Sequence, residues 1–419
     1  MLTTNAADLR RRFLLIMKRV LALAALVLPL AAQTPGPVFR PGGPDAAKYG
    51  QAENYPKGPA DHSDEAQNHA VGAGSHFDEL YPTSKVAHGS RVWNFQRAAA
   101  TPEIRYEFEG KSYTLNDFLD RVPVTGLLIA RDDTILTETY QYARTDRDRF
   151  DGHSMSKTFI SMLMGIAVAE HKIRSIGDPA SAYVPALAKS PYAETPLREL
   201  LLMSSGVMLN EDTFWKDVFT SDEDTGQSLA KSATRTAPVG TKFKYSSGDS
   251  EVLTTVLRRA VGMPLSRYLS ERIWIPIGAE SDASWAVESS NQEIGPWGFN
   301  AVLRDYARFG RLLACDGAWN GKQLIPKRWL IEATTRQISE PQAAPGRASR
   351  YYGYGYQIWL LPTDRRMFAM VGANGQYVFV DPKSKLVLVQ TAVRPDGESL
   401  VSAHSETLAL WLAVVKQFG

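Results

Sequence analysis

Ser154-Met155-Ser156-Lys157-Thr158-Phe159-Ile160-Ser161-Met162-Leu163, continuing to Glu170, is the stretch on which the reading of this chain turns. A Ser-x-x-Lys pair at a helix N-terminus puts a hydroxyl and an amine one turn apart on the same face. From Thr158 to Ala169 the residues are apolar nearly all round, which predicts a helix buried in a core. A serine at its start sits in the positive end of the helix dipole, which favours developing negative charge. A lysine buried beside it loses the hydration of its ammonium, so its pKa falls and its amine can serve as a base. The pair predicts a serine acyl-transfer site.

Ser-x-x-Lys is short, and the chain holds a second copy, Ser228-Leu229-Ala230-Lys231. It runs into Ser232 to Pro238, which has no helical apolar period, so it lacks the context that gives the first copy meaning. Bulk properties narrow the field further. With 419 residues, 44% of them hydrophobic, the chain can build one large core or two. A net charge of +2 gives no basic face for a nucleic-acid partner. One cysteine, Cys315, excludes a disulfide framework and a cysteine metal site. None of the seven histidines is spaced as His-x-His or His-x-x-x-His, so no metal and no other cofactor is expected.

Met17-Lys18-Arg19 followed by the apolar run Val20 to Leu30 reads as an export signal, residues 1–32, cut near Ala31-Ala32. Arg10-Arg11-Arg12 upstream resembles a twin-arginine signal, and a start at Met17 is the alternative. Eleven apolar residues are too few to span a bilayer, so the expectation is a periplasmic or secreted protein with no stable membrane insertion after processing. Residues 33–100, rich in Pro, Gly and polar groups, predict an extended arm on the main domain, 101–419. In that domain a short helix over Thr114 to Val122 precedes strands at Val124 to Ala130 and Thr134 to Tyr140. Helices are expected at Leu197 to Met203, capped by Gly206, and at Ser250 to Val261, Leu265 to Trp274 and Leu303 to Cys315. Strands follow at Gly355 to Leu361, Met367 to Val371, Tyr377 to Asp381 and Leu386 to Thr391, then a closing helix from Ser402 to Phe418. Strands at both ends and helices between predict an α+β fold. One antiparallel sheet is built from the two chain ends and flanked by helices, with a mainly helical subdomain inserted at about 155–301.

Two further segments can complete a site. Tyr245, in a polar loop just before a helix, can lean its phenol into a cleft. Beside a lysine ammonium its pKa is expected to fall below about 10, so that it can shuttle a proton. Gly372-Ala373-Asn374-Gly375-Gln376 lies between two strands, where small residues let a substrate approach backbone N–H groups. A bare strand-to-strand turn accounts for it equally well.

In this order, Ser154/Lys157, Tyr245/Ser247 and Gly372 to Gln376 resemble the serine β-lactamase and penicillin-recognising superfamily. Leu200 to Gly206, Arg304 to Leu313 and Tyr352 to Trp359 are similar to its supporting segments, and the resemblance runs from Arg105 to the C-terminus. Phe77 to Pro82, Asn210-Glu211-Asp212 and Gly372-x-x-Gly375-Gln376 are most similar to the 6-aminohexanoate-dimer hydrolases and related class C-like esterases. That likeness implies a β-lactamase-like fold, an acyl-serine intermediate, and an oxyanion hole from the backbone N–H groups of Ser154 and Ala373. It implies a small-molecule ester or amide as substrate. Where the nylon-oligomer enzyme of that branch has a tyrosine after Asn-Glu-Asp this chain has Thr213, which leaves esters favoured over linear amides. No Lys-Thr-Gly or His-Thr-Gly occurs, and Ser247 stands where an asparagine would hold an antibiotic side chain. A β-lactamase or D-alanyl-D-alanine peptidase is the alternative enzyme; a catalytically silent cell-wall-binding relative is the alternative outside catalysis.

Other residues carry weaker signals. Trp297, between Gly295 and Gly298, is a candidate for the substrate pocket with Thr213, Ser247, Gly372 and Asn374, whereas Trp359 in a strand is expected in the core. His404, at the start of the last helix, can lean over the cleft. His153 is read as structural, because the lysine already supplies a base.

Overall fold

The computed structural model describes residues 34–59, 66–221, 223–337, 339–394 and 400–419, the side chains of 400–403 excepted. The export segment expected at 1–32 lies outside the described residues.

Strand Val124–Arg131 shows how the centre is made. Successive side chains of a strand point to opposite faces, so Leu127 and Ile129 enter one apolar core and Leu128 and Ala130 another. It pairs antiparallel with Thr134–Tyr140, Leu128 opposite Glu138. On its other edge lies Leu386–Ala392, with Leu388 opposite Ile129. Gln376–Asp381, Phe368–Gly372, Trp359–Leu360 and Gly353–Tyr354 continue the sheet outward. Both ends of the chain thus meet in one nine-stranded sheet. The closing helix Leu400–Phe418 covers one face with Leu410, Trp411 and Val414. Helix Leu303–Ala314 packs on the other face, with helix Ser156–Ala169 in the same core. The fold is α+β.

The arm is stitched into this framework. Val38–Phe39 and Gln96–Arg97 each run parallel to Thr134–Tyr140. Thr83–Val86 edges a second, four-stranded sheet, followed by Ala283–Ala286, Phe299–Val302 and Arg149–Asp151. The sequence reading places no strand at any of these four segments, because three or four residues are too few to display alternation. Yet this sheet delivers the chain to Ser154 three residues after Asp151.

Three local expectations need correction. The helix at Leu197 stops at Leu201; Met203, with φ of 55°, makes the left-handed turn, and Gly206 lies beyond it. The first short helix spans only Leu115–Leu119, closed by a capping box between Thr114 and Asp117. Gly355 to Leu361 is not one strand but the turn and second arm of a hairpin, Gly353–Tyr354 with Trp359–Leu360. In the turn Gln357 adopts φ of 55° and sends its side chain inward, accepting from Ser250 Oγ at 2.7 Å and donating to the Leu200 carbonyl at 2.9 Å. A Cβ on Gly355 would lie 1.9 Å from the Ala333 carbonyl oxygen. Gly355→Ala is therefore expected to cost about 2–3 kcal/mol in urea denaturation, while Gly36→Ala, with nothing within 4 Å of the new methyl, leaves the midpoint unchanged.

Candidate active site

Strand Arg149–Asp151 ends against the core, and a single tight turn, His153–Met155, leads into helix Ser156–Ala169. Residues Ser156 to Ala167 of that helix are all buried, and Lys157 is only 2% exposed. Its Nζ lies 3.0 Å from Ser154 Oγ and donates to the Pro296 carbonyl at 2.9 Å. Burial pushes the ammonium down to about 7, against the smaller opposing pull of Glu211 and Glu251. At neutral pH a large share of this amine carries a free lone pair beside the serine hydroxyl.

Tyr245 precedes helix Ser247–Val261, whose first turn is capped by Ser246 Oγ accepting from the Asp249 N–H at 3.2 Å. Its ring centroid lies 4.9 Å from Lys157 Nζ and stacks on Trp359 at 5.5 Å and 22°. As a residue Tyr245 is 37% exposed, but its hydroxyl end is desolvated next to Ser154. Burial pushes its pKa up to about 12, a hydrogen bond with Ser154 acting the other way. This corrects the expected depression. A lysine whose charge burial weakens gives a phenolate little support, so Tyr245 stays a phenol and can offer a proton.

The third segment comes from the opposite end of the chain. Strand Phe368–Gly372 ends in the turn Ala373–Gly375, and a Cβ on Gly372 would lie 2.3 Å from the Gly152 carbonyl oxygen. The turn is therefore held directly against the segment that carries Ser154. Among the described residues, the backbone N–H of neither Ser154 nor Ala373 is used in a hydrogen bond. Two such donors aimed at a carbonyl oxygen stabilise an oxyanion by about 3–4 kcal/mol apiece. Asn374, at φ of 62°, points Nδ2 at His153 Nε2 across 3.5 Å, and His153 Nδ1 lies 3.2 Å from Asp151 Oδ2.

Ser154, Lys157, Tyr245 and the Gly372–Asn374 turn are thus brought together. Ser247 is half-buried in the first turn of the tyrosine helix. Trp297 follows the carbonyl that takes Lys157 and packs against Trp215 at 5.5 Å. Thr213 sits exposed in the first turn of helix Glu211–Thr220, its N–H held by Asn210 Oδ1 at 3.2 Å. That helix begins near the site, since the charge of Glu211 acts on both Lys157 and Tyr245. His404 lies behind the oxyanion turn, its Nδ1 2.6 Å from Tyr377 Oη, and burial lowers it to about 4, which keeps it neutral. The second Ser-x-x-Lys lies at the end of helix Thr225–Ser232, where the exposed Lys231 pairs with Glu223.

Two cavities flank the three side chains without being lined by them. One, of about 400 Å³, is almost wholly apolar and is bounded by Trp359, Tyr352, Tyr377, Ala373 and His404. The other, of about 530 Å³, lies on the far side of Asn374 and His153. Trp359 thus lines the site rather than filling the core, a correction that strand periodicity could not supply, because the strand is two residues long. Sequence reasoning also passed over Pro296, whose carbonyl anchors Lys157, and Glu251. The buried Glu251 carboxyl group, pushed up to about 8 by burial, accepts from the Gly295 N–H at 3.1 Å and so braces that loop.

A family model for beta-lactamase matches residues 114–409. The 6-aminohexanoate-dimer hydrolase of Paenarthrobacter ureafaciens is 26% identical over 340 residues, covering 77% of this chain and 84% of the relative. A solved structure from Bacillus anthracis, provisionally named a 6-aminohexanoate-dimer hydrolase, superposes with a TM-score of 0.74 at 23% identity, over 83% of this chain and 93% of that one. A family VIII carboxylesterase superposes with a TM-score of 0.55 at 15% identity, over 70% and 93% of the two chains.

Because the lowered pKa of Lys157 makes the neutral amine available only above it, kcat/KM for an activated ester is expected to rise with pH through a one-proton limb centred near 7. A limb near the ordinary lysine value would contradict the geometry. Lys157→Arg keeps its proton at every working pH and is expected to lose about 10²- to 10⁴-fold in kcat.

Proposed function

The chain belongs to the beta-lactamase family, a hydrolase family of the serine type, and on that premise we propose that it is an exported esterase acting through an acyl-Ser154 intermediate. The observation that carries this reading is the 3.0 Å contact between Ser154 Oγ and an amine whose charge is suppressed by burial. Ser154 Oγ attacks the ester carbonyl carbon while its proton passes to Lys157 Nζ. The carbonyl oxygen becomes an oxyanion held by the N–H groups of Ser154 and Ala373. As the C–O bond breaks, the Tyr245 phenol gives its proton to the departing alkoxide and regains one from the Lys157 ammonium. Water then attacks the acyl carbon, giving its proton to the freed amine, and the carboxylic acid leaves as Ser154 Oγ is reprotonated.

The cavity beside Ala373 suits an uncharged aliphatic part of the substrate, since most of its wall is apolar and Arg350 is the one charged side chain lining it. Esters are favoured over amides because an alkoxide can depart with weak proton donation, whereas an amide nitrogen must be protonated before it leaves. The turn at Gly372–Gln376 has neither the cation nor the hydroxyl that a β-lactam carboxylate would need. Export rests on the sequence Met17 to Ala32; N-terminal sequencing of the protein recovered from the periplasm or medium is expected to begin near Gln33.

Ser154→Ala is expected to abolish both ester turnover and labelling by a fluorophosphonate probe while the circular dichroism spectrum is unchanged. Activity above a few per cent would remove Ser154 as nucleophile. Thr213→Tyr is expected to raise the ratio of amide to ester turnover, measured with a 6-aminohexanoate dimer and p-nitrophenyl acetate, by about ten- to a hundredfold. That is the value of one hydrogen bond to a leaving nitrogen. An unchanged ratio would show that the position does not sense the leaving group.

A further inference from the structure

The larger cavity has a construction that the chemistry above does not use. It opens where His153 and Asn374 meet, the residues next in the chain to Ser154 and Ala373. One wall is aromatic and is assembled from three distant segments: Phe77 and Tyr81 of the arm, Phe219 of helix Glu211–Thr220, and Trp297. Phe77 lies against Tyr81 at 4.7 Å, tilted by 33°, and meets Trp297 edge-on at 6.4 Å and 72°. Phe219 lies 6.1 Å from Trp297 and is 43% exposed, an apolar ring left open to solvent. Asp151, His153, Asn374, Gln376 and Arg394 bring polar groups to the lining. Asp151 fixes the His153 ring, and the 3.5 Å gap from His153 Nε2 to Asn374 Nδ2 is too long for a good hydrogen bond, so both atoms have capacity to spare.

We propose that this cavity is a second subsite of the ester site, shaped for a substituted aromatic ring, and that the N-terminal arm is thereby a specificity element. The inference rests on the esterase reading above and names the substrate class. Flat rings gain from edge and face contacts with aromatic side chains beyond the area they bury, which an alkyl chain does not. A hydroxyl or alkoxy group on the ring edge meets His153 Nε2 and the Asn374 amide across the cavity. At about 530 Å³ the space takes one substituted ring and its linker to the reacting carbonyl. Because Ser154 does not line the cavity, the ester bond lies at its mouth, beneath the oxyanion donors.

Two matched pairs of esters test this in the full-length protein. Ethyl 4-hydroxybenzoate against ethyl butyrate places the ring on the acyl side, and 4-methoxyphenyl acetate against ethyl acetate places it on the alcohol side. In one of the pairs the ratio of aromatic to aliphatic kcat/KM is expected to fall at least fivefold in Phe219→Ala and in Phe77→Ala, chiefly through KM. Trp297→Phe is expected to keep more of that ratio than Trp297→Ala. Phe219 is half open to solvent, so its removal reads out specificity even where loss of the more buried Phe77 unfolds the arm. A change under fivefold in both pairs for the folded variants overturns the subsite, and with Ser154 still labelled by fluorophosphonate the esterase reading stands. Absence of both ester turnover and labelling in the unaltered protein overturns that reading and this inference with it.

Discussion

A lysine almost wholly shut off from bulk water governs this structure. Hydration of an ammonium is worth far more than any single contact inside a protein, so a fully enclosed lysine gives up its proton unless an anion faces it. Here helix Ser156–Ala169 is buried on every side, and what faces Nζ is a carbonyl and a hydroxyl rather than a carboxylate. The same enclosure keeps Tyr245 a phenol. The two pKa values are thus moved by one cause, burial, acting in opposite directions on a cationic and an anionic conjugate form. Around them Glu251 braces the loop that presents the Pro296 carbonyl, and Asp249 accepts from Ser205 Oγ at 2.7 Å, tying the tyrosine helix to the segment ahead of it.

Positioning falls to two sheets. The nine-stranded sheet brings the Gly372 turn from one chain end beside strands from the other. The smaller sheet delivers the chain to Ser154 and, through the loop between Ala283–Ala286 and Phe299–Val302, supplies both Pro296 and Trp297. The two sheets thus bring residues 154 and 373 together, while Tyr245 is placed by helix Ser247–Val261 packing on helix Ser156–Ala169. The arm takes part as well, since Thr83–Val86 edges the smaller sheet just after Tyr81 and Pro82 line the larger cavity.

Much of this was legible in the sequence because long patterns report strong physics. The apolar run after Ser154, the paired strands from Val124 to Tyr140 and the strands from Phe368 to Ala392 each carry enough residues for period and burial to show. Short elements do not. Strands of two to four residues, among them the one holding Trp359 and all four of the smaller sheet, have no readable period. The turn at Gly355 looked like strand because its residues are apolar, while its path is set by a close approach to Ala333 some twenty residues away. The Tyr245 expectation failed for another reason: proximity to lysine was legible, but whether that lysine keeps its charge depends on burial from all sides, which only the folded chain decides.

The central claim is the charge state of Lys157, and it can be observed without any substrate. With 13C-labelled lysine, the Cε resonance missing from the Lys157→Ala spectrum identifies this residue, and its shift can be followed from pH 5 to 11. A titration midpoint near 7 is the result this account predicts. A midpoint near 10.5 would show a hydrated ammonium beside Ser154 and would contradict it.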